Sequence, residues 1–249
     1  MHPLDGAYER VKRASKHLTY LKRRINSFRQ VAIDTAVDNN YLDLLKEVER
    51  RQKPVTLQGV SSHPVPSIIE ILIGEIIYNL RAALDYLVYE LAHFDSGSIV
   101  DHTQFLIEDC KNGFRSKRNY RLKGVNTKHR ADIELLQPYN GCQWTKLIRD
   151  LSDPDKHRRL TASYAVVRDI QTLHPGSTEP IRLDRKMYVP ADFSIDIHFY
   201  DRTQVVSIDT LKQLKLYVTD TLNFFKPDFP VIHPPTPLRV EGKRMKPLQ

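Results

Sequence analysis

The sequence predicts an α+β protein, with a helical core around a long central helix (67–93) and an antiparallel β-sheet of about three strands in the C-terminal half. The helical core is predicted by apolar residues that recur every three or four positions between 67 and 93. The sheet is predicted by β-branched, alternating stretches at 160–172, 181–189 and 193–200. Because helices precede the strands and one helix follows them, the order favours α+β over a parallel doubly wound fold.

Length and composition narrow the class of protein. The chain has 249 residues, of which 41% are hydrophobic, as expected for a globular protein of one or two domains. Its most apolar run, 68–80, is interrupted by two glutamates and an asparagine, so no membrane span and no membrane partner are expected. The N-terminus lacks the basic and apolar parts of a secretory signal, and Cys110 and Cys142 stand alone, so we expect a cytoplasmic protein.

The positive charge is concentrated in one segment. The whole chain has a formal net charge of +8, and residues 111–130 alone contain eight Lys and Arg and no acidic residue. Basic residues interleaved with aromatic rings indicate nucleic-acid binding, although a run of charges is also typical of a solvated loop. The candidate RNA-binding residues of this segment are Arg115, Lys117, Arg118, Tyr120, Arg121 and Lys123.

The N-terminal third predicts one helix followed by less regular structure. Residues 4–28 contain no internal proline and have an amphipathic spacing, which predicts a helix. Between 30 and 49 the pattern is mixed, and we favour a hairpin around Asp38–Asn40. Three prolines and a glycine in 53–66 predict an extended connection.

The central helix is the strongest signal in the chain. Ser67 is a candidate N-cap, and Asp95-Ser-Gly-Ser ends the helix. At 100° per residue its apolar positions form one continuous arc. They are Ile69, Leu72, Ile73, Ile76, Ile77, Leu80, Ala83, Leu84, Leu87, Val88 and Leu91.

The rest of the chain predicts shorter helices around the sheet. Helices are expected at about 126–136 and 144–151, and Asp153 followed by Pro154 predicts the start of another. Ser207 is expected to cap a last helix with a stripe of Leu211, Leu214, Val218, Leu222 and Phe225. We therefore expect a single domain over 1–228, with its helical core at about 65–160, and a Pro-rich basic tail over 229–249.

The polar arc of the central helix is unusual because it carries tyrosines and an arginine instead of the common Lys and Glu. Arg81 and Asp85 are four residues apart and are expected to form a pair. One interpretation is a structural ion pair beside tyrosines that contact another element or a dimer partner. The other is a site in which Arg81 binds phosphate, because guanidinium is permanently charged and bidentate.

A second cluster follows the predicted helix start at Asp153. A helix N-terminus beside Lys156, His157 and Arg158 predicts an anion site, in which His157 is the candidate for proton transfer and Asp155 helps to orient the cations. The alternative is that Asp155 favours the helix start and the cations remain solvated.

Several chemistries lack their motifs. The chain contains no GxxxxGK[ST], GxGxxG, HExxH or GxSxG pattern and no Cys/His set at zinc spacing. We therefore expect no cofactor and no metal.

Four motifs in order carry a resemblance. They are the run Ile73–Ala92, which contains Asn-Leu-Arg-Ala-Ala-Leu-Asp-Tyr, then Thr103–Ile107, Leu136–Tyr139 and Asp155–Arg158. Over about residues 65–160 the chain resembles a group of uncharacterised bacterial proteins with NLRxALD(H/Y) and DKHR motifs. Its arginine helix is in turn similar to the HEPN superfamily, helical proteins that often dimerise and include metal-independent ribonucleases of toxin and phage-defence systems.

The resemblance implies roles for three neighbouring residues. Arg81 matches the HEPN arginine and Asp85 the neighbouring acid, whereas Tyr86 stands where the superfamily has a histidine thought to transfer protons. Tyrosine, with a pKa near 10, is a poor general base at neutral pH. Catalysis is then absent, or His157 or His93 takes the role, or only the helix pattern is shared.

The leading hypothesis is a HEPN-like RNA-interacting protein, with a metal-independent ribonuclease as its catalytic form. Its candidate catalytic residues are Arg81, Asp85, Tyr86, Asp155 and His157, and Lys156 and Arg158 are additional RNA contacts. The first alternative is a non-enzymatic binding or assembly module, such as a homodimer formed through the tyrosine face of the central helix. The second alternative is a binder of a small phosphorylated ligand.

Overall fold

A computed structural model describes most of the chain. The described residues are 2–51, 56–57, 61–157, 164–168, 170–171, 192–199, 202–204 and 207–229. Side chains are described in 2–29, 31, 65–152 and 207–229.

Six α-helices account for most of the described residues. They are α1 (Asp5–Arg51), α2 (Ser67–Ser96), α3 (Lys111–Arg121), α4 (Thr127–Leu135), α5 (Gln143–His157) and α6 (Ile208–Phe225), with 3-10 turns at Pro138–Asn140 and Lys226–Asp228. Short extended backbone segments are β1 (Thr56–Leu57), β2 (Ser61–Pro64), β3 (Tyr164–Arg168), β4 (Ile170–Gln171), β5 (Asp192–Phe199) and β6 (Arg202–Gln204). They pair antiparallel in the orders β2-β3-β5-β6 and β1-β4.

Helix α2 forms the centre of the core, as the sequence predicts. All eleven apolar positions predicted for its arc are buried. The stripe of α6 is buried as predicted, and α1 contributes Leu4, Ala7, Val11, Ala14, Leu18 and Leu21. Each fully buried Leu or Ile stabilises the fold by roughly 1.5 to 3 kcal/mol relative to exposure, so these helix contacts dominate the core. No helix in the described part of the chain is long and apolar enough to cross a membrane.

The predicted α+β class is wrong, because the protein is mostly helical. Where side chains are described there is no strand, and the core residues there lie in helices or in short segments next to them. The apolar faces of α1, α2 and α6 cover one another, so this core is closed without a sheet layer. The strand predicted at 181–189 lies outside the described residues.

Two further predictions are wrong because a helix continues where the sequence predicts a break. Helix α1 continues through Asp38–Asn40 to Arg51, so no hairpin forms there. Helix α5 runs from Gln143 through Asp153 and Pro154 to His157, so no new helix starts at Asp153. In both places the chain continues a helix through residues that are common in turns, since propensity is a weak local preference.

The N-cap predicted for α2 is wrong, because Ser67 is the first helical residue and the N-cap residue is Pro66, with no side-chain capping hydrogen bond. Other helix ends have common capping groups. Helix α2 ends before Gly97, which has a φ of 67°. The side chain of Asn126 accepts a hydrogen bond from the backbone N of His129 and caps α4, and Ser207 caps α6 in the same way. Phe229 is buried against Phe94, with their ring centroids 5.4 Å apart. Residues 230–249 of the predicted tail lie outside the described residues.

Candidate functional site

Arg81 and Asp85 hold the chain segment that follows α2. The Nη2 atom of Arg81 donates a 2.6 Å hydrogen bond to the carbonyl oxygen of Phe105 and lies 3.4 Å from Oδ1 of Asp85. The same Oδ1 accepts a 2.9 Å hydrogen bond from the backbone N of Phe105. One helical turn separates the two side chains, so together they satisfy both backbone groups of one extended residue.

The guanidinium of Arg81 also lines a cleft of about 370 Å³. One wall is the extended segment 104–108, and the others come from α2, α3 and α5. The side chains and backbone around the cleft belong to Arg81, Gln104, Phe105, Leu106, Ile107, Glu108, Lys117, Arg121 and Arg149.

The cleft is positively charged. Its lining contains four basic side chains and one carboxylate, Glu108, whose Oε1 lies 2.7 Å from Nζ of Lys117. Burial tends to lower the pKa of Arg149, but its hydrogen bonds to Asp109 and Asp150 outweigh that effect and raise it. Arg121 forms no ion pair with a carboxylate of the described residues and lies with its Cζ atom 5.2 Å from the Tyr120 ring centroid.

One nitrogen of Arg81 has no hydrogen-bond partner among the described residues. The residue is only 6% exposed, and its Nη1 atom is buried without an acceptor. A buried polar group left unpaired costs about 1 to 3 kcal/mol, and more when it is charged. An anion bound in the cleft would neutralise part of the surrounding positive charge, and a rotation of the guanidinium that turns Nη1 toward the cleft would give that atom an acceptor.

Of the predicted RNA-binding residues of the basic segment, Lys117 and Arg121 line this cleft. Arg115 and Arg118 line a separate groove of about 650 Å³ between α3 and α4, and the buried Nε of Arg118 has no partner within the described ranges. The other candidates are exposed: Tyr120 near the cleft and Lys123 in the turn after α3. The segment is helical over Lys111–Arg121 and is therefore not a solvated loop.

Tyr86 contacts α1 and does not line the cleft. Its hydroxyl oxygen accepts a 3.3 Å hydrogen bond from Nη2 of Arg10, whose Cζ lies 5.3 Å from the ring centroid. A Cβ atom on Gly6 would lie 3.2 Å from the same ring. Tyr86 therefore fastens α1 to α2, in a separate groove whose other side chains come from α1.

The remaining candidates lie where side chains are not described. Asp155, Lys156 and His157 form the last turn of α5, and only their backbone is described. Arg158 lies outside the described residues. The helix-start anion site predicted at Asp153 is wrong, because α5 continues through that position and its N–H groups are not those of a first turn.

Two cleft residues were not identified from the sequence. Glu108 lies between the Thr103–Ile107 motif and the basic segment 111–130. Its position beside both could have indicated that it lies near the basic residues of the cleft. Arg149 lies on α5 among ordinary charged residues, and its spacing carries no such signal. Both enter the cleft through tertiary packing.

No family model matches this chain, and no curated protein or solved structure is significantly similar to it.

Proposed function

We propose that this protein interacts with RNA and binds a backbone phosphate in the cleft beside Arg81. The observation that supports the proposal most directly is the excess of cations in the cleft, which Arg81, Lys117, Arg121 and Arg149 line together with one carboxylate. The motif-bearing helix and the basic segment thus contribute to the same cleft. Phosphate oxygens are the acceptors that clustered guanidinium groups favour.

A polyanion fits the charge distribution better than a lone phosphorylated metabolite. The basic residues extend beyond the cleft to Lys111, Arg115 and Arg118 on the other side of α3. A chain of phosphates can contact both groups of cations, whereas a small ligand fills only one. Such binding weakens as salt rises, because neutralised phosphates release counterions.

The catalytic form of the proposal is a metal-independent ribonuclease. Arg81 would stabilise the charge that develops on the phosphate, and Asp85 would hold Arg81 in place. His157 remains the proposed proton-transfer group, and Glu108 is the carboxylate that the cleft itself offers. A cytoplasmic location belongs to the same proposal, supported by two free cysteines, one of them exposed.

Binding is tested with a fluorescent 20-nucleotide RNA and fluorescence anisotropy at two salt concentrations. Arg121→Ala removes one cleft cation without breaking an ion pair in the described residues, so we expect weaker binding and a shallower salt dependence. Lys212→Ala is the matched control, because Lys212 is a half-exposed cation of α6 paired with Asp209. Equal affinities of wild type and Arg121→Ala would contradict the proposal.

Catalysis is tested by incubating RNA with the purified protein and EDTA. The wild type should cleave, and Arg81→Ala, His157→Ala and Arg121→Ala should cleave more slowly. Equal cleavage by all four proteins, or none at all, removes the catalytic form and leaves binding to be judged by anisotropy. A thermal-shift screen of mononucleotides and inorganic phosphate identifies a small ligand if one of them shifts Tm while RNA does not bind.

The assembly module remains a second candidate, favoured by an exposed apolar stripe on α2. Ile71, Tyr78 and Tyr89 are 56%, 47% and 37% exposed, and their spacing places them on one helix face. Tyr86 is less available for a partner because Arg10 lies over its ring. Sedimentation of wild type and Tyr78→Asp tests this candidate, which requires a dimer that the substitution dissociates.

A further inference from the structure

Two aromatic rings lie together next to the Arg81 cleft. The rings of His102 and Tyr120 are nearly parallel, with centroids 6.2 Å apart and an interplanar angle of 16°. His102 precedes the extended segment that forms one cleft wall, and Tyr120 directly precedes the cleft residue Arg121. The backbone N of Gln104 donates a 3.0 Å hydrogen bond to the carbonyl oxygen of Arg121, which fixes these two segments side by side.

The position of His102 is conformationally costly. Its φ is 64°, the only positive φ of a residue other than glycine in the described chain. A left-handed conformation costs an ordinary residue roughly 1 to 2 kcal/mol. The turn nevertheless holds an exposed His ring against the tyrosine.

Tyr120 is not needed by the core. It is 56% exposed, whereas Phe114 on the same helix is fully buried and supplies the apolar contact of α3. A large ring left in solvent beside a cationic cleft is typical of surfaces that stack nucleobases. Arg121 connects the two features, since its guanidinium lies beside the Tyr120 ring and lines the cleft.

We infer that the His102–Tyr120 pair stacks an unpaired nucleobase of an RNA whose backbone phosphate lies in the Arg81 cleft. This inference depends on the proposed function and specifies its substrate class as single-stranded RNA. A base in a duplex is already stacked on its neighbours and paired, so it must leave the helix before it can reach a protein ring. Stacking on this pair would also distinguish RNA from polyanions that have no aromatic rings and interact only through their charge.

The inference is tested with three 12-nucleotide ligands: a single strand, the same strand in a duplex, and a strand with abasic sites throughout. The wild type should bind the single strand tightest. Tyr120→Leu should weaken single-strand binding roughly 5- to 100-fold, the range for loss of one base–aromatic stack, and should leave abasic binding unchanged. Tyr120→Phe keeps the ring and should bind like the wild type.

Tyr20→Leu is the matched control, because Tyr20 is an exposed tyrosine on α1 with the Cζ of Arg24 5.1 Å from its ring centroid, and it does not line the cleft. Circular dichroism confirms that each variant is folded. Equal single-strand affinity of Tyr120→Leu and wild type overturns the stacking inference, as does equal wild-type affinity for all three ligands, and both results leave the proposed function standing. If the wild type binds none of the ligands, the proposed function fails and the inference fails with it.

Discussion

Arg81 donates a 2.6 Å hydrogen bond to the carbonyl oxygen of Phe105, a residue 24 positions further along the chain. This contact shows that Arg81 has a structural task, which the sequence offered as one of two alternatives. The structural contact does not use the whole guanidinium, because Nη2 holds the backbone while Nη1 has no partner in the part of the chain that the structure describes. A guanidinium fixed by its fold is already oriented when a ligand arrives, which lowers the entropic cost of binding.

Arg81→Ala is expected to destabilise the fold by about 2 to 4 kcal/mol. The substitution leaves the carbonyl oxygen of Phe105 without its donor and removes the positive partner of Asp85. Urea denaturation measures the change in the free energy of unfolding. Arg23→Ala, at an exposed position of α1, is the control and should change stability by less than about 0.5 kcal/mol. Equal stability of the two variants would show that the Phe105 contact contributes nothing.

Tyr86→His is expected to leave RNA cleavage unchanged, although it restores the residue type of the HEPN motif. The Tyr86 ring lies under Arg10 of α1 and does not line the cleft that contains Arg81. Cleavage is measured with EDTA present, beside wild type and Arg121→Ala. A rate increase in Tyr86→His would mean that position 86 reaches the substrate, and the assignment of the cleft would then be wrong.

The sequence predicted the helical core well because helix periodicity is a repeated signal. Every apolar position chosen on α2 is buried, and so is the whole stripe of α6. Each predicted position has apolar neighbours three and four residues away, so an apolar residue on the exposed face, such as Ile71, does not hide the helix pattern. The cap of α6 was also predicted correctly, from Ser207 directly before the apolar stripe.

The wrong predictions came from local sequence features that tertiary structure overrides. Asp38–Asn40 and Asp153-Pro154 have local turn chemistry, yet both lie in helices that are longer than expected. The α+β prediction is wrong because alternating β-branched residues do not by themselves form a core layer, whereas helices supply most of the described core. The cleft needed tertiary packing as well, since Arg81, Lys117 and Arg149 come from three helices and no local pattern connects them.

Gly124→Ala should be more destabilising than Gly97→Ala by about 1 to 3 kcal/mol. Both glycines have positive φ, 81° and 67°, so both substitutions pay a similar backbone strain of roughly 1 to 2 kcal/mol. Only at Gly124 would the new Cβ meet neighbours, 2.8 Å from Cγ2 of Val100 and 3.2 Å from the Ala92 carbonyl oxygen. At Gly97 nothing lies within 4 Å.

The two variants can be compared by urea denaturation under the same conditions. Both variants have a similar backbone strain, so the difference between their free energies of unfolding measures the steric clash in the turn between α3 and α4. Equal losses of stability would mean that the turn moves away from α2 at no cost.

Stability is expected to fall above about pH 10, partly through Tyr139. Burial, followed by the hydrogen bond to Glu134, raises the pKa of Tyr139 above its ordinary value of 10.0. Between the unfolded and the folded pKa the folded state keeps the hydroxyl proton while the unfolded state releases it. The unfolded state then binds fewer protons, so the free energy of unfolding decreases as pH rises.

Tyr139→Phe should therefore show a smaller loss of stability between pH 9 and pH 11 than the wild type, because it lacks the titrating hydroxyl. Thermal unfolding at both pH values measures this loss, and Tyr89→Phe is the control at an exposed tyrosine. The wild type and Tyr89→Phe should lose stability to the same extent. If Tyr139→Phe loses as much as they do, the hydroxyl of Tyr139 is not protected in the folded state, and its contact with Glu134 does not persist in solution.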